Sequence, residues 1–325
     1  MDPIATGAFT PKVKASILAA LAIPETDLED LGGFESFIFL KHSTQTIIRM
    51  THISHRDESQ ILGEMEFIDH LLGAGGSVCR PIPFKDGSLV LTLGEFVMSQ
   101  FERAQGDIVS KENWNHVLFT TWGRDIAQFH LSAQSFLAPK HKRPEWDEDE
   151  NLHFTRRIPS AQQLVQERAR QCMMDVAKLI KNEGNYGLIH CDAHYKNFFY
   201  QSGRLTFFDF DDCCYQWFVF DVATILFGIV FMEGVENTRK AQEQAASDFL
   251  PAFLAGYKEV VPVTPFLLEQ LPLFLKLREL SLYAAIHAHG EIDNLTDWFP
   301  KKVMVDRQRR IEAGEVFLDM DFMQL

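Results

Sequence analysis

The chain has 325 residues, 46% of them hydrophobic and 28 of them Phe, which exceeds one typical domain and marks a globular protein rather than a disordered or fibrous one. Its 31 Lys and Arg stand against 45 Asp and Glu, a formal net charge of −14 that repels nucleic-acid phosphates and anionic membranes, so neither is expected as a partner. Cys79, Cys172, Cys191, Cys213 and Cys214 lack metal-type spacing, the N-terminus lacks a signal-peptide design, and no apolar run approaches the roughly 18 residues that span a bilayer; the cytoplasm is the expected compartment.

In chain order, TPKVKASILAALAI predicts a short helix stopped near Pro24. LGGFESFIFLKHSTQTIIRMT holds two β-rich runs, 34–40 and 46–50, joined by a polar turn. RDESQILGEMEFIDHLLGAGG predicts an amphipathic helix with Ile61, Met65, Ile68, Leu71 and Leu72 on one face, ended by glycines. SVCRPIPFKDGSLVLTLGEFVMSQFE alternates turn signals with apolar runs, so further strands follow. The start of the chain therefore reads as a small sheet crossed by one helix.

After RAQGD the character changes to long helical segments over 114–131, 161–181, 218–232, 238–257 and 266–289. The expected architecture is α+β in two lobes, a small β-rich one over 1–102 and a larger, mainly helical one over 103–325. The polar insert KHKRPEWDEDE, 140–150, reads as an exposed loop. For Trp298 and Phe299 two readings stand, the wall of an acceptor pocket or a terminal loop with packing residues.

One segment gathers most of the chemistry. LIHCDAHYKNFFYQSGRLTFFDFDDCC places His190, Asp192 and Asn197 on or beside a loop and Asp209 at the end of a strand, with a hairpin between. A hairpin returns on itself, so Asn197 and Asp209 can be neighbours, and their oxygens are hard ligands suited to Mg²⁺, which takes its other ligands from water and phosphates. Asp192 then lies near the metal without being an obvious ligand. That is the position of a base for an attacking hydroxyl in phosphoryl transfer.

His190-x-Asp192-x-His194-x-x-Asn197, followed by Asp209-Phe210-Asp211 and Asp221-Val222-Ala223, resembles the catalytic loop, metal loop and following helix of the aminoglycoside phosphotransferase and choline kinase family. The resemblance covers most of residues 28–230, nearest the homoserine-kinase-like and stress-response branches. It implies a protein-kinase-like fold and transfer of the γ-phosphoryl group of ATP or GTP, with Mg²⁺, to a hydroxyl. It further implies Asp192 as catalytic base, Asn197 and Asp209 as metal ligands, and Asp221 as the helix-start carboxylate that ties the loop down. His190 and His194 are implied to be structural, and Asp211 to support the metal through its neighbours. His130, on the central helix, reads as a packing residue.

In the first lobe, LGGFESFIFL resembles the hairpin whose turn at Glu35 and Ser36 covers the phosphates with backbone N–H groups. Where the family usually has a phosphate-binding Lys, this chain has Arg49, which keeps the charge and can grip phosphate bidentately. The alternative for Arg49 is a surface residue at a strand end. Glu64 matches the helix carboxylate that pairs with that cation, leaving Glu66 solvated. FVMSQFERAQGD resembles the connector whose backbone holds adenine near Gln100 and Phe101.

The implied acceptor is a small-molecule hydroxyl on an aminoglycoside, amino alcohol or homoserine-like compound. The acidic surface fits a cationic one without requiring it. Three alternatives stay open: a protein Ser/Thr kinase of the stress-response type, a silent nucleotide-binding pseudokinase, and a phosphatase reading of LTFFDFDD in which Asp209 is a haloacid-dehalogenase nucleophile. The last makes no use of His190, Asp192 and Asn197.

Overall fold

A computed structural model describes residues 3–324 apart from 34, 138, 149–151, 153, 232–237 and 289–297. The chain divides into two compact units, the first made of residues 1–105, 136–143 and 206–211, the second of 106–135, 144–205 and 212–325. Chain order alone gives no sign of the two later segments that complete the first unit.

The first unit opens with helices α1 (Pro3–Ala8) and α2 (Pro11–Leu21), followed by strands β1 (Leu28–Gly32), β2 (Phe37–Lys41) and β3 (Thr46–His52). Helix α3 (Glu58–Gly73) leads to β4 (Val90–Leu93) and β5 (Phe96–Glu102). The strands form one antiparallel sheet in the order β1-β2-β3-β5-β4, with Ile38 opposite Arg49 and Arg49 opposite Ser99.

Alternation along the strands sends side chains to opposite faces, and both faces are covered. Phe39, Ile48, Met50, Phe96 and Met98 pack with Ile17 and Leu18 of α2, while Val90 and Val97 pack with Ile61 and Met65 of α3. The expected sheet crossed by one helix is thus a sheet between two. Helix α3 begins with a capping box, Asp57 accepting from the Gln60 N–H and Gln60 returning a bond to the Asp57 N–H. That cap fixes where the Glu64-bearing turn falls.

The second unit is mainly helical: α4 (His116–Ala133), α5 (Phe154–Arg157), α6 (Gln163–Ala177), α7 (Val219–Val230), α8 (Arg239–Lys258), α9 (Pro265–Ala288) and α10 (Trp298–Ala313). Short strands β6 (Tyr186–Ile189) and β9 (Cys214–Trp217) pair with each other, as do β7 (Phe198–Gln201) and β8 (Arg204–Phe207). Helix α7 is buried nearly all round, as its composition VFDVATILFGIV demands. Trp298 and Phe299 open α10 instead of a terminal loop, and their side chains lie outside the described residues.

The polar insert is also not the simple exposed loop its composition suggests. Arg143 is buried in the first unit and Trp146 in the second, where Trp146 packs edge-on against Trp217. All five cysteines are free and buried, and Cys191 and Cys214 lie close, 3.2 Å between sulfurs. Among the described residues no helix is long and apolar enough to cross a membrane.

Helices α4 and α8 touch backbone to backbone. A Cβ on Gly123 of α4 would lie 1.8 Å from the Phe253 carbonyl oxygen, and one on Gly256 of α8 would lie 1.9 Å from that of Thr120. In an open helix Gly→Ala gains about 1 kcal/mol of propensity. Here Gly123→Ala is expected to lower the urea unfolding free energy by about 1–3 kcal/mol through overpacking, so the sign of the change tests the contact.

Candidate active site

Strand β6 delivers His190 and the loop after it, and this loop is pinned by a carboxylate with no solvent exposure. Asp221, on the first turn of α7, accepts from the Cys191 N–H at 2.7 Å and the His190 N–H at 3.3 Å. Its Oδ2 also lies 3.2 Å from His130 Nε2, and His130 Nδ1 lies 2.8 Å from the Tyr257 hydroxyl. His130 thus bridges Asp221 on one ring nitrogen and the Tyr257 hydroxyl on the other. The ring stacks on Phe218 at 4.6 Å. His130 is therefore a packing residue with a defined polar task.

Cys191 adopts φ 65°, a left-handed conformation that costs a non-glycine residue of order 1–3 kcal/mol and persists because the Asp221 bonds over-determine the turn. The next residue is Asp192. Its Oδ2 accepts from Asn197 Nδ2 at 3.0 Å and faces His194 Nε2 at 3.3 Å, and its Oδ1 accepts from Arg278 Nη2 at 2.7 Å. His194 Nδ1 accepts from the Lys196 N–H at 3.2 Å, which leaves Nε2 as the protonated nitrogen facing Asp192.

Burial works to raise the Asp192 carboxyl, but His194, Arg278 and His190 outweigh it and hold the group below the ordinary carboxylate range. Burial also lowers His194, against the pull of Asp192, so His194 is uncharged at neutral pH. The permanent cation on Asp192 is therefore Arg278, contributed by α9 and carried by no motif.

Asn197 spends its amide nitrogen twice on Asp192, on the backbone oxygen at 2.9 Å as well as on Oδ2. Its carbonyl oxygen is thereby turned away from Asp192 and has no protein partner among the described residues. A neutral hard oxygen held in a fixed direction fits a divalent cation such as Mg²⁺.

In the first unit, Asp209-Phe210-Asp211 passes from solvent into the core. Asp209 is exposed with φ 64°, two residues past the end of β8. Phe210 is buried edge-on against Phe67 of α3. Asp211 is buried among cations: His55 Nε2 at 2.5 Å, Arg56 Nε at 3.5 Å and Arg49 Nη1 at 3.7 Å from its oxygens. Its backbone oxygen accepts from Arg56 at 3.2 Å and from Arg143. Burial opposes its charge, yet Arg56, His55 and Arg49 hold Asp211 well below the carboxylate range.

Arg49 lies in the middle of β3, 4% exposed, and is not a surface residue at a strand end. It reaches both Glu64 oxygens, Nη1 to Oε1 at 2.9 Å and Nη2 to Oε2 at 2.5 Å, with its guanidinium 5.0 Å from the Phe101 ring centroid. Glu66 is not solvated as expected: it accepts from the Lys140 N–H at 2.9 Å and meets His141 Nδ1 at 2.7 Å. These partners lie some 75 positions away and leave no local signal.

The Ser36 side chain is buried and bonded to Thr51 Oγ1 at 2.8 Å, so from this turn only the backbone is left to meet a ligand. The turn needs Gly33, because a Cβ there would sit 1.9 Å from the Ser36 carbonyl oxygen. Glu35 reaches His55 Nε2 at 3.1 Å. Glu35, His55 and Asp211 offer donor atoms within 4.8 Å of one another, but the guanidinium groups of Arg49 and Arg56 beside Asp211 make this an ion-pair cluster rather than a cation site.

Gln100 and Phe101 lie inside β5, opposite Ile48 and Ile47 of β3. The Gln100 carbonyl accepts from the Ile82 N–H at 2.8 Å.

Residues 29–257 match the family model described as the phosphotransferase enzyme family. The chain belongs to this family. It is an ATP-dependent phosphotransferase with an alcohol group as acceptor, and its fold is the protein-kinase-like α+β fold. Amicoumacin kinase of Bacillus subtilis (strain 168) is 31% identical over 323 residues, 97% of this chain and 95% of that protein. The solved amicoumacin kinase hAmiN, in complex with AMP-PNP, Ca²⁺ and Ami, superposes with a TM-score of 0.91 at 27% identity, over 100% of this chain and 99% of the other. A microcompartment-associated aminopropanol kinase shares the fold, with a TM-score of 0.71 at 18% identity over 94% and 96% of the two chains.

Burial works against a charge on His55, but the Asp211 and Glu35 carboxylates outweigh it and push the imidazolium up to about 10. The native state therefore holds a proton that the unfolded chain releases near pH 6.5. Stability from this group is full below about pH 6.5 and is lost as pH rises toward 10. Urea titrations across that range are expected to show a falling unfolding free energy in wild type and a flatter profile in His55→Gln.

Proposed function

We propose that this phosphotransferase uses ATP and Mg²⁺ to phosphorylate a hydroxyl of an antibiotic of the amicoumacin type. The observation that carries the reading is the full-length likeness to amicoumacin kinases, which extends through α8, α9 and α10 as well as the nucleotide motifs. The matched family model ends at residue 257, so the likeness over the last two helices is additional.

In this reading Asp192 receives the proton of the acceptor hydroxyl as its oxygen bonds to the γ-phosphorus and the bond from that phosphorus to the ADP oxygen breaks. A carboxylate kept ionised by its neighbours, with both oxygens held, is suited to orient the hydroxyl as well as to take its proton. Asn197 and Asp209 are the residues that would hold Mg²⁺, which when bound neutralises charge on the β- and γ-phosphate oxygens. Arg49, braced by Glu64, directs its charge at the nucleotide phosphates, and the backbone around Ser36 covers them. The adenine is read by backbone groups of the connector at or just beyond Gln100 and Phe101. The division proposed for the chain is a nucleotide lobe ending near residue 102 and a catalytic and acceptor lobe after it.

Incubation with ATP, Mg²⁺ and amicoumacin, followed by mass analysis of the antibiotic and ADP assay, is expected to give one phosphoryl group per ADP formed. Asp192→Asn should lower turnover by about 100-fold or more, the scale of losing a positioned general base, with ATP affinity within about twofold of wild type. Failure of wild type to modify amicoumacin while it phosphorylates another alcohol would overturn the acceptor assignment alone.

A further inference from the structure

Three groups hold the Asp192 carboxylate, and they differ in origin. Asn197 and His194 come from its own loop and both address Oδ2. Arg278 comes from α9, 86 residues further on, and addresses Oδ1. A carboxylate torsion is broad and roughly two-fold, so bonds to one oxygen leave the plane of the group poorly fixed. The third bond fixes it.

Among the described residues the Arg278 side chain has no other polar partner. Its remaining nitrogens bond to no protein group among the described residues, and its Nε is buried without a partner. A guanidinium kept partly out of water for a single 2.7 Å contact is costly unless that contact matters. Its helix is anchored immediately beyond the contact. The next residue, Glu279, pairs with Arg307 of α10, whose guanidinium lies 5.0 Å and 5.1 Å from the ring centroids of Phe231 and Phe317. One turn on, the Tyr283 hydroxyl donates to Gln162 at 2.8 Å. The support behind Arg278 is thus rigid.

We propose that Arg278 is a positioning residue for phosphoryl transfer: by holding Oδ1 it sets the plane in which Asp192 meets the acceptor hydroxyl. This rests on Asp192 being the base, as proposed above. Arg278 acts through Asp192, so its loss should appear in the rate of transfer rather than in nucleotide binding, and should vanish once Asp192 can no longer act.

The test compares wild type, Arg278→Met, Arg278→Lys, Asp192→Asn and the double variant Asp192→Asn/Arg278→Met, with ATP and Mg²⁺. Amicoumacin is one phosphoryl acceptor and water, in acceptor-free ATP hydrolysis, is the other. The expected result is a fall in kcat of about 10- to 100-fold in Arg278→Met, the scale of a misplaced catalytic group, with KM for ATP within about twofold. Arg278→Lys should recover part of that loss, and the double variant should be no slower than Asp192→Asn alone, because residues acting as a unit are non-additive. Should Arg278→Met fail to fold, the Lys variant carries the comparison, with a predicted kcat below wild type.

Wild-type kcat in both Arg278 variants, or an effect confined to KM, would overturn the proposal. An Arg278→Met effect that persists on top of Asp192→Asn would also overturn it. Wild-type turnover with water but not with amicoumacin would remove the acceptor assignment while the hydrolysis arm still decides on Arg278. Wild type without turnover on either acceptor would contradict the base assignment and this proposal together.

Discussion

A carboxylate removed from water must be met by a cation or by several donors, and at its functional positions the chain meets that demand with a different device each time. Asp221, fully buried, takes two backbone N–H groups and the His130 ring, and so fixes the loop bearing Asp192. Asp211 gathers His55, Arg56 and Arg49 around the turn that follows Asp209. Glu64 takes Arg49 in two parallel bonds, and Glu279 takes Arg307 beside the residue that reaches Asp192. Hydrophobic packing supplies the bulk of the fold, but these paired charges set the directions of the groups that do chemistry. They also give a single lost partner an outsized effect, because the charge left behind is already desolvated.

The replacement of the family's usual Lys by Arg49 is intelligible on these terms. A guanidinium offers a planar fork, and the two Glu64 oxygens fit it edge to edge, which an ammonium cannot match. The same cation helps hold Asp211, and stacks near Phe101. One side chain therefore ties a central strand, the following helix and Asp211 into a single electrostatic unit.

What could be read from the sequence was what local pattern carries. The spacing from His190 to Asn197, the Asp209-Phe210-Asp211 motif and the apolar faces of the long helices all act within a few residues. Glu64 rather than Glu66 follows from the family resemblance together with the helical spacing of Ile68 and Leu71, and the distances to Arg49 agree with it. What pattern could not carry were pairings made at long separation. Arg278 lies in an apolar helix with no motif around it, Arg143 hides in a charged insert that looks solvated, and Glu66 finds a partner in that same insert. Helix α1 contains Gly7, and its six residues are too few for a periodic signal. The Ile82 N–H that meets the Gln100 carbonyl left no signal either, because an irregular segment that pairs along β5 has no β signature of its own.

The proposed service of these arranged carboxylates to a metal-bound nucleotide can be read from the thermal unfolding midpoint with ATP and Mg²⁺, with ATP and EDTA, and with neither, in wild type and in Asp209→Asn. A ligand at about 100 times its Kd stabilises the native state by roughly 2.7 kcal/mol, a shift of several degrees in many domains. Such a rise is expected in wild type only when ATP and Mg²⁺ are both present, and is expected to be lost in Asp209→Asn. An unchanged midpoint in wild type, or an equal rise in the variant, would rule this role out.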